Sequence, residues 1–396
     1  MIKIRMYLKK KWKTAVPAFL IAFSLLLNLA GWISRSFCNF YARHIFPVWV
    51  ETYGRLTGLF PFSVGERMLY LAAVLTAVLA LWSSAAFVRA AIRRCRRGPG
   101  GKKPPENKRL PVALGIYGTV YFWITGVVCL VMTLNCFLLY HVSPVYERYE
   151  IGGAGRERYG AAEIAALRDY VVEQANALAP LMSRDGEGDL VYEGDMIREA
   201  KEQMGRLSGR IDTLKGYYPD PKPLLASDFF SQQYIMGYYF PFSMEANYND
   251  IMYVVNLPTT LCHELSHLKG FILEDEANFI GYLACVDSED DFFRYSAYLS
   301  VLGYLDRDFY QAAGKDREVY QSHPAISELV LRDDIFLTGE TWEEVEETAL
   351  ISTETVKEVS NTFTETTLVL NGVEDGRVSY SRVVDLLLRY YDGILY

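Results

Sequence analysis

Residues 263–267 read His-Glu-Leu-Ser-His in a chain that holds only five histidines, so two of them four residues apart around a glutamate is a spacing that composition rarely produces. On a helix, positions i and i+4 share a face, and His263 and His267 can then offer imidazole nitrogens to one Zn²⁺. Glu264 lies beside them, where it can hold and deprotonate a water molecule. The chemistry requires this set: two neutral nitrogens retain the ion, and a third ligand leaves one position open for water whose pKa the metal lowers. The pattern points to metal-assisted hydrolysis.

The third ligand is sought in the next segment, Glu274-Asp275-Glu276-Ala277-Asn278-Phe279, which follows His267 and Gly270. Gly270 suits the reversal that ends a helix. Acids in a first helical turn also favour the helix dipole without any metal, but here they come just after a turn that returns the chain to the histidines. Glu274 and Asn278 are i and i+4, so the carboxylate can ligate while the amide steadies a histidine ring from behind. Glu274 and Glu276 lie about 200° apart around a helix axis and cannot both face one ion. Gly281 and Cys285 extend the Glu274 face with small side chains that permit close approach to the first helix. Glu276 shares its side with Ile280 and Leu283, and its carboxylate is expected to cap or to point to solvent.

HExxH followed by E-x-x-A-[D/N] resembles the gluzincin metallopeptidases, a resemblance that implies Glu274 as third zinc ligand. PFSVGE at 61–66, GYYFPFSMEAN at 237–247, HELSHLKGFILEDEANFIGYLAC at 263–285 and SYSRVVDLLL at 379–388 further resemble a bacterial membrane family of unknown function, DUF3810. That likeness covers nearly the whole chain and implies a zincin-like fold without a substrate. A metzincin does not fit, because Leu273 stands at its third-histidine position and no Met follows Met252 to form its Met-turn.

Other residues are weaker candidates for contacting substrate or its transition state. His323, in Gln-Ser-His-Pro, could steady an oxyanion, although a lone His before Pro is more often a surface turn residue. Tyr380 and Arg382 could serve the same role. Gly237 to Asn247 could be an edge strand that binds an extended peptide by strand addition, with Asn247 or Tyr248 contacting its backbone. Glu66 is expected to be solvated at a membrane end, or PFSVGE to form a lip under the site.

These residues must be positioned by a domain of about 255 residues, long enough for a substantial core. Helical periodicity runs from Ile164 to Leu178 and from Met196 to Ile211, and polar, Pro-rich sequence from Tyr217 to Ser227 then breaks it. Aromatic and β-branched residues from Tyr234 to Val255 predict two or three short strands. Helical patterns return at 259–269, 273–286, 290–305, 316–331, 342–360 and 379–391. Pro258 with Thr259 or Thr260 supplies entry and N-cap chemistry to the first of these. The fold class expected is α+β, mostly helical with a small sheet.

Ahead of that domain, residues 14–34, 68–88 and 112–140 are uncharged and long enough to cross a bilayer. Residues 1–140 hold 19 Lys+Arg against 3 Asp+Glu, and the remainder 21 against 45. Arg89 to Arg109 is basic and Gly/Pro-rich, and reads as a short cytoplasmic loop rather than a nucleic-acid site. The positive-inside rule then keeps the N-terminus in the cytoplasm and puts residues 141–396 outside the plasma membrane. Six cysteines form no framework; Cys262 and Cys285 lie on helices of the outer domain, where a buried thiol is the commoner fate than pairing. The expectation is a three-span anchor (1–140) carrying a zinc-dependent peptidase domain (141–396) that meets a peptide or protein substrate at the lipid bilayer. The competing expectation is a zincin fold kept for binding or sensing without turnover, against which the intact Glu264 argues.

Overall fold

A computed structural model describes residues 2–95, 109–149, 159–370 and 382–396. Among the described residues three helices are long and apolar enough to span a membrane: α1 (Ile2–Ile33), α2 (Val64–Cys95) and α3 (Arg109–Met132), the last continuing through a π turn to Tyr140. α1 and α3 pack closely. A Cβ on Gly126 would stand 3.1 Å from the Pro17 backbone, and Trp12 meets Trp123 edge to face at 5.7 Å. α2 has none of its apolar span buried in the protein. The loop expected over Arg89 to Arg109 is corrected at both ends, since Arg89–Cys95 continue α2 and Arg109 opens α3; residues 96–108 lie outside the described residues.

Between α1 and α2, a helical run from Arg35–Phe40 to Arg55–Thr57 is loosened by two π turns, Tyr41–Ile45 and Val50–Gly54. Its Phe46 and Val50, with Leu138 and Leu139 at the end of the third span, belong to the same buried cluster as Leu265 and Phe271. One core therefore runs from the membrane ends of the helices into the large domain.

The large domain is built on α4 (Ala161–Leu178), α5 (Met196–Leu207), the short α6 (Ser227–Ser231), α7 (Leu257–His267), α8 (Glu274–Val286), α9 (Asp291–Ala312) and α10 (Val383–Tyr391). Asp195 and Asp290 cap α5 and α9 by accepting backbone N–H bonds. α7 enters through Pro258, but its N-cap is Asn256, whose side chain bonds the Tyr253 and Ile335 carbonyls and does not cap the helix; Thr259 lies inside the helix against Ser296 at 3.1 Å, so the expected Thr cap is corrected. Gly270 takes a φ of +87° just past α7, as the reversal requires. Cys262 and Cys285 are free, buried thiols 3.7 Å apart across α7 and α8.

The small sheet has order β1-β3-β2: β1 (Lys222–Pro223) parallel to β3 (Glu245–Tyr248), and β2 (Gly237–Phe240) antiparallel to it. β1 falls where only a break was expected. A single long helix over 316–331 is also corrected: Arg317–Gln321 and Glu328–Asp333 are separate, with Pro324 between them. Arg168 and Asn176 of α4 bind the carbonyls of Pro324 and Ala325 in that gap. Likewise 342–360 divides into Gly339–Thr348 and Thr353–Leu370.

Glu66 is not solvated. It is buried in the first turn of α2 and accepts the backbone N–H groups of Leu225 and Ala226, both at 2.9 Å, and the Tyr70 hydroxyl at 2.7 Å. Glu245 accepts from the N–H groups of Val64 and Gly65, at 3.1 and 2.8 Å, and pairs with buried Lys222. The sheet thus lies between α7 and the membrane ends of the spans.

Candidate metal centre

α7 and α8 approach closely because position 281 is glycine: a Cβ there would stand 2.9 Å from the Thr259 carbonyl oxygen and 3.3 Å from the His263 nitrogen. This brings the start of α8 over the end of α7. His263 Nε2 lies 3.1 Å from Glu274 Oε2 and His267 Nε2 4.0 Å from Glu274 Oε1. One ligand atom from each of His263, His267 and Glu274 falls within 4.8 Å of the others.

The other ring nitrogens are already engaged. His263 Nδ1 meets Asn278 Oδ1 at 2.9 Å, and His267 Nδ1 meets the Phe271 carbonyl at 2.7 Å. Both acceptors favour a proton on Nδ1, which leaves Nε2 of each ring as the atom that faces Glu274 and could take a metal. Burial holds the His267 pKa down to about 4, so that ring stays neutral. At His263 burial acts in the same direction, but the hydrogen bond and charge of Glu274 outweigh it and raise the pKa. With a divalent ion in place of the proton shared by His263 and Glu274, two imidazoles and a carboxylate, converging and oriented from behind, fit a tetrahedral site with one position left over.

Glu264 stands beside this set, with Oε1 3.9 Å from His263 Nε2. It is 3 % exposed, and its Oε2 is buried without a hydrogen-bond partner in the protein. Burial first, and then the nearby Glu274, pushes its pKa up to about 8 against the pull of His263. A carboxyl group so placed can exchange a proton near neutral pH. Its wall is Gly237 of β2, where a Cβ would stand 2.5 Å from Glu264 Oε1. Tyr239, two residues on along the same strand face, meets the His267 ring at 5.8 Å. The sequence places Gly237 and Tyr239 in a candidate substrate strand but does not reveal their contacts with Glu264 and His267, although a glycine opening an aromatic strand is a signal of close backbone approach.

Other expected residues stand elsewhere. Asn247 is not on an edge: β3 is the central strand, and the buried Asn247 amide donates to the Tyr238 carbonyl at 3.0 Å. Tyr248 is likewise paired on both sides, with Pro223 and Gly237. Among the described residues the edges of the sheet are β1 and β2. His323 Nδ1 is held by Asp169 at 2.6 Å, with its ring against Phe309 at 4.7 Å, in contacts unconnected with the His263 cluster. Arg382 precedes α10 and acts electrostatically on Asp275, beside Glu274. Tyr380 lies outside the described residues. Glu276 does not point to solvent; it is buried, pairs with Arg148 at 2.7 Å and accepts the Val145 N–H at 2.6 Å, capping the helix Val145–Tyr149.

No curated protein and no solved structure gives a significant match to this sequence. The family model described as "Protein of unknown function (DUF3810)" matches residues 41–388, from the run before the second span almost to the end of α10, and the chain therefore belongs to the DUF3810 family.

Proposed function

We propose that the protein is a membrane-anchored zinc metallopeptidase with a zincin-like domain, anchored in the bacterial plasma membrane with its N-terminus in the cytoplasm and its large domain outside. The observation that carries this reading is the convergence of His263, His267 and Glu274 within 4.8 Å next to the unpartnered, buried Oε2 of Glu264. Zn²⁺ held by the three would supply Lewis-acid polarisation of a carbonyl and acidification of water. Asn278 and the Phe271 carbonyl fix the ring tautomers. Glu264 takes the proton of the attacking water and returns it to the leaving amine, and its raised pKa suits both transfers. The free edge of β2, which starts at Gly237 against Glu264, would align an extended peptide by strand addition. Substrates would be exported peptides or surface proteins.

The test uses the full chain, since its core includes membrane-proximal residues such as Phe46 and Leu138. Purified in detergent, it is expected to carry about one zinc per chain, as one closed set of three ligands implies. It should hydrolyse members of a peptide library, lose turnover to a chelator and regain it with zinc. A zinc-loaded chain that cuts no member of the library overturns the reading.

A further inference from the structure

The mouth of α2 carries an apolar surface that none of the described residues covers. In the turn before α2, Leu59 is 77 % exposed, and Phe60 and Phe62 face outward, 5.6 Å apart. Leu225, 65 % exposed, and Phe229 of α6, 50 % exposed, come from a distant part of the sequence. They are held at the same level because Glu66, in the first turn of α2, binds the Leu225 and Ala226 N–H groups. Exposed apolar patches of this kind mark interaction sites.

The occupant is indicated by continuity. The span begins at Val64, just after the Leu59–Phe62 turn, and no residue of its apolar window is buried among the described residues, although Thr76 and Trp82 touch Tyr121 and Tyr117 of α3. Arg67 reaches back over the Phe62 ring at 5.5 Å, the aromatic-plus-basic pairing that suits the headgroup layer. The patch also leads to the site. Phe230 meets Tyr238 at 5.9 Å, Tyr238 meets Phe240 at 4.9 Å, and Phe240 packs on Gly65, where a Cβ would stand 2.5 Å from its ring. Tyr238 and Phe240 lie on one face of β2; Gly237 on the other touches Glu264.

We propose that Leu59, Phe60, Phe62, Leu225 and Phe229 form a rim seated in the interfacial layer of the bilayer that α2 crosses, so that the free edge of β2 opens at the membrane surface. The rim rests on the spans alone. Its consequence, that the cleft takes the membrane-proximal stretch of an anchored polypeptide in preference to a free one, rests also on the peptidase reading. A cleft held at the surface meets tethered chains at a far higher effective concentration.

Single cysteines introduced at Phe60, Leu225, Phe229, Tyr238 and Glu289 of the full chain, each labelled with an environment-sensitive fluorophore in phosphatidylcholine–phosphatidylglycerol liposomes, read the depth of each site. The signal of the labelled parent chain is subtracted as background. Glu289, in the turn at the far end of α8, serves as the aqueous reference. Labels at 60, 225 and 229 are expected to be quenched by nitroxide lipids and shielded from iodide, the label at 238 to be quenched by a headgroup nitroxide, and the label at 289 to respond to iodide alone. Iodide quenching at 60, 225 and 229 equal to that at 289 overturns the proposal, and so does shielding from both quenchers, which would mean a protein cover such as a second copy of the chain. The same liposomes are then given one peptide library, lipid-tethered or free. Tethered members should be cut about tenfold faster or more; equal rates overturn preferential entry from the membrane. Absence of cleavage in both forms contradicts the peptidase reading, with the rim still decided by the quenching.

Discussion

At the scale of single residues, the account separates two glutamates that sit two positions apart on α8. Glu274 faces the histidines, whereas Glu276 is buried on the other side against Arg148 and the Val145 N–H. Glu274→Ala is expected to abolish zinc binding while the chain melts as the parent chelated of zinc does, because the residue is partly open and its neighbours lose little packing. Glu276→Ala is expected to retain zinc in the folded fraction but to cost roughly 3 kcal/mol, since it leaves the largely buried Arg148 without its carboxylate partner. Zinc stoichiometry and thermal unfolding of both variants check this; zinc lost from Glu276→Ala and kept by Glu274→Ala would move the third ligand two residues along. The ligand side of α8 was legible in the sequence because helical geometry fixes which residues share a face. The burial of Glu276 was not, because its partners lie about 130 residues away and nothing local announces them.

At the scale of elements, α7 and α8 were readable because their ends carry local signals: Pro258 at entry, Gly270 at exit and three acids opening α8. β1 was not readable. It is two residues long, one of them proline, and exists because Lys222 is tied to Glu245 and to the Thr57 carbonyl. Glu66 misled for the same reason, since the backbone N–H groups that bury it arrive from residues 225 and 226. The close crossing of α7 and α8 gives an element-level prediction. Gly281→Ala puts a methyl 2.9 Å from a backbone carbonyl that cannot swing aside. It should destabilise the protein by about 1–3 kcal/mol, as overpacking does, and weaken zinc retention against a chelator by pushing His263 away from Glu274. Calorimetry and the rate of chelator-driven zinc release check this; a variant that melts and holds zinc like the parent would mean that the two helices are not held at this distance.

At the scale of the whole molecule, the membrane part and the large domain share one core, and the sheet behind Glu264 is fastened to the start of α2 through Glu245, Glu66 and Phe240. Charge and hydropathy made the three spans legible, because spanning length and apolar composition are properties of contiguous sequence. The fastening was not legible, since each of its bonds joins segments more than 150 residues apart. The arrangement ties the sheet beside the candidate metal centre to the start of α2, and among the described residues Glu264 is the buried carboxylate at that centre whose Oε2 lacks a hydrogen-bond partner. The most direct test of the central claim measures zinc content and peptide turnover side by side in the parent and in Glu264→Gln, both as full chains. The account predicts equal zinc in the two and turnover lower in the variant by about two orders of magnitude or more, the usual loss when a general base is removed. A Glu264→Gln chain that holds zinc and turns over at the parental rate would contradict it.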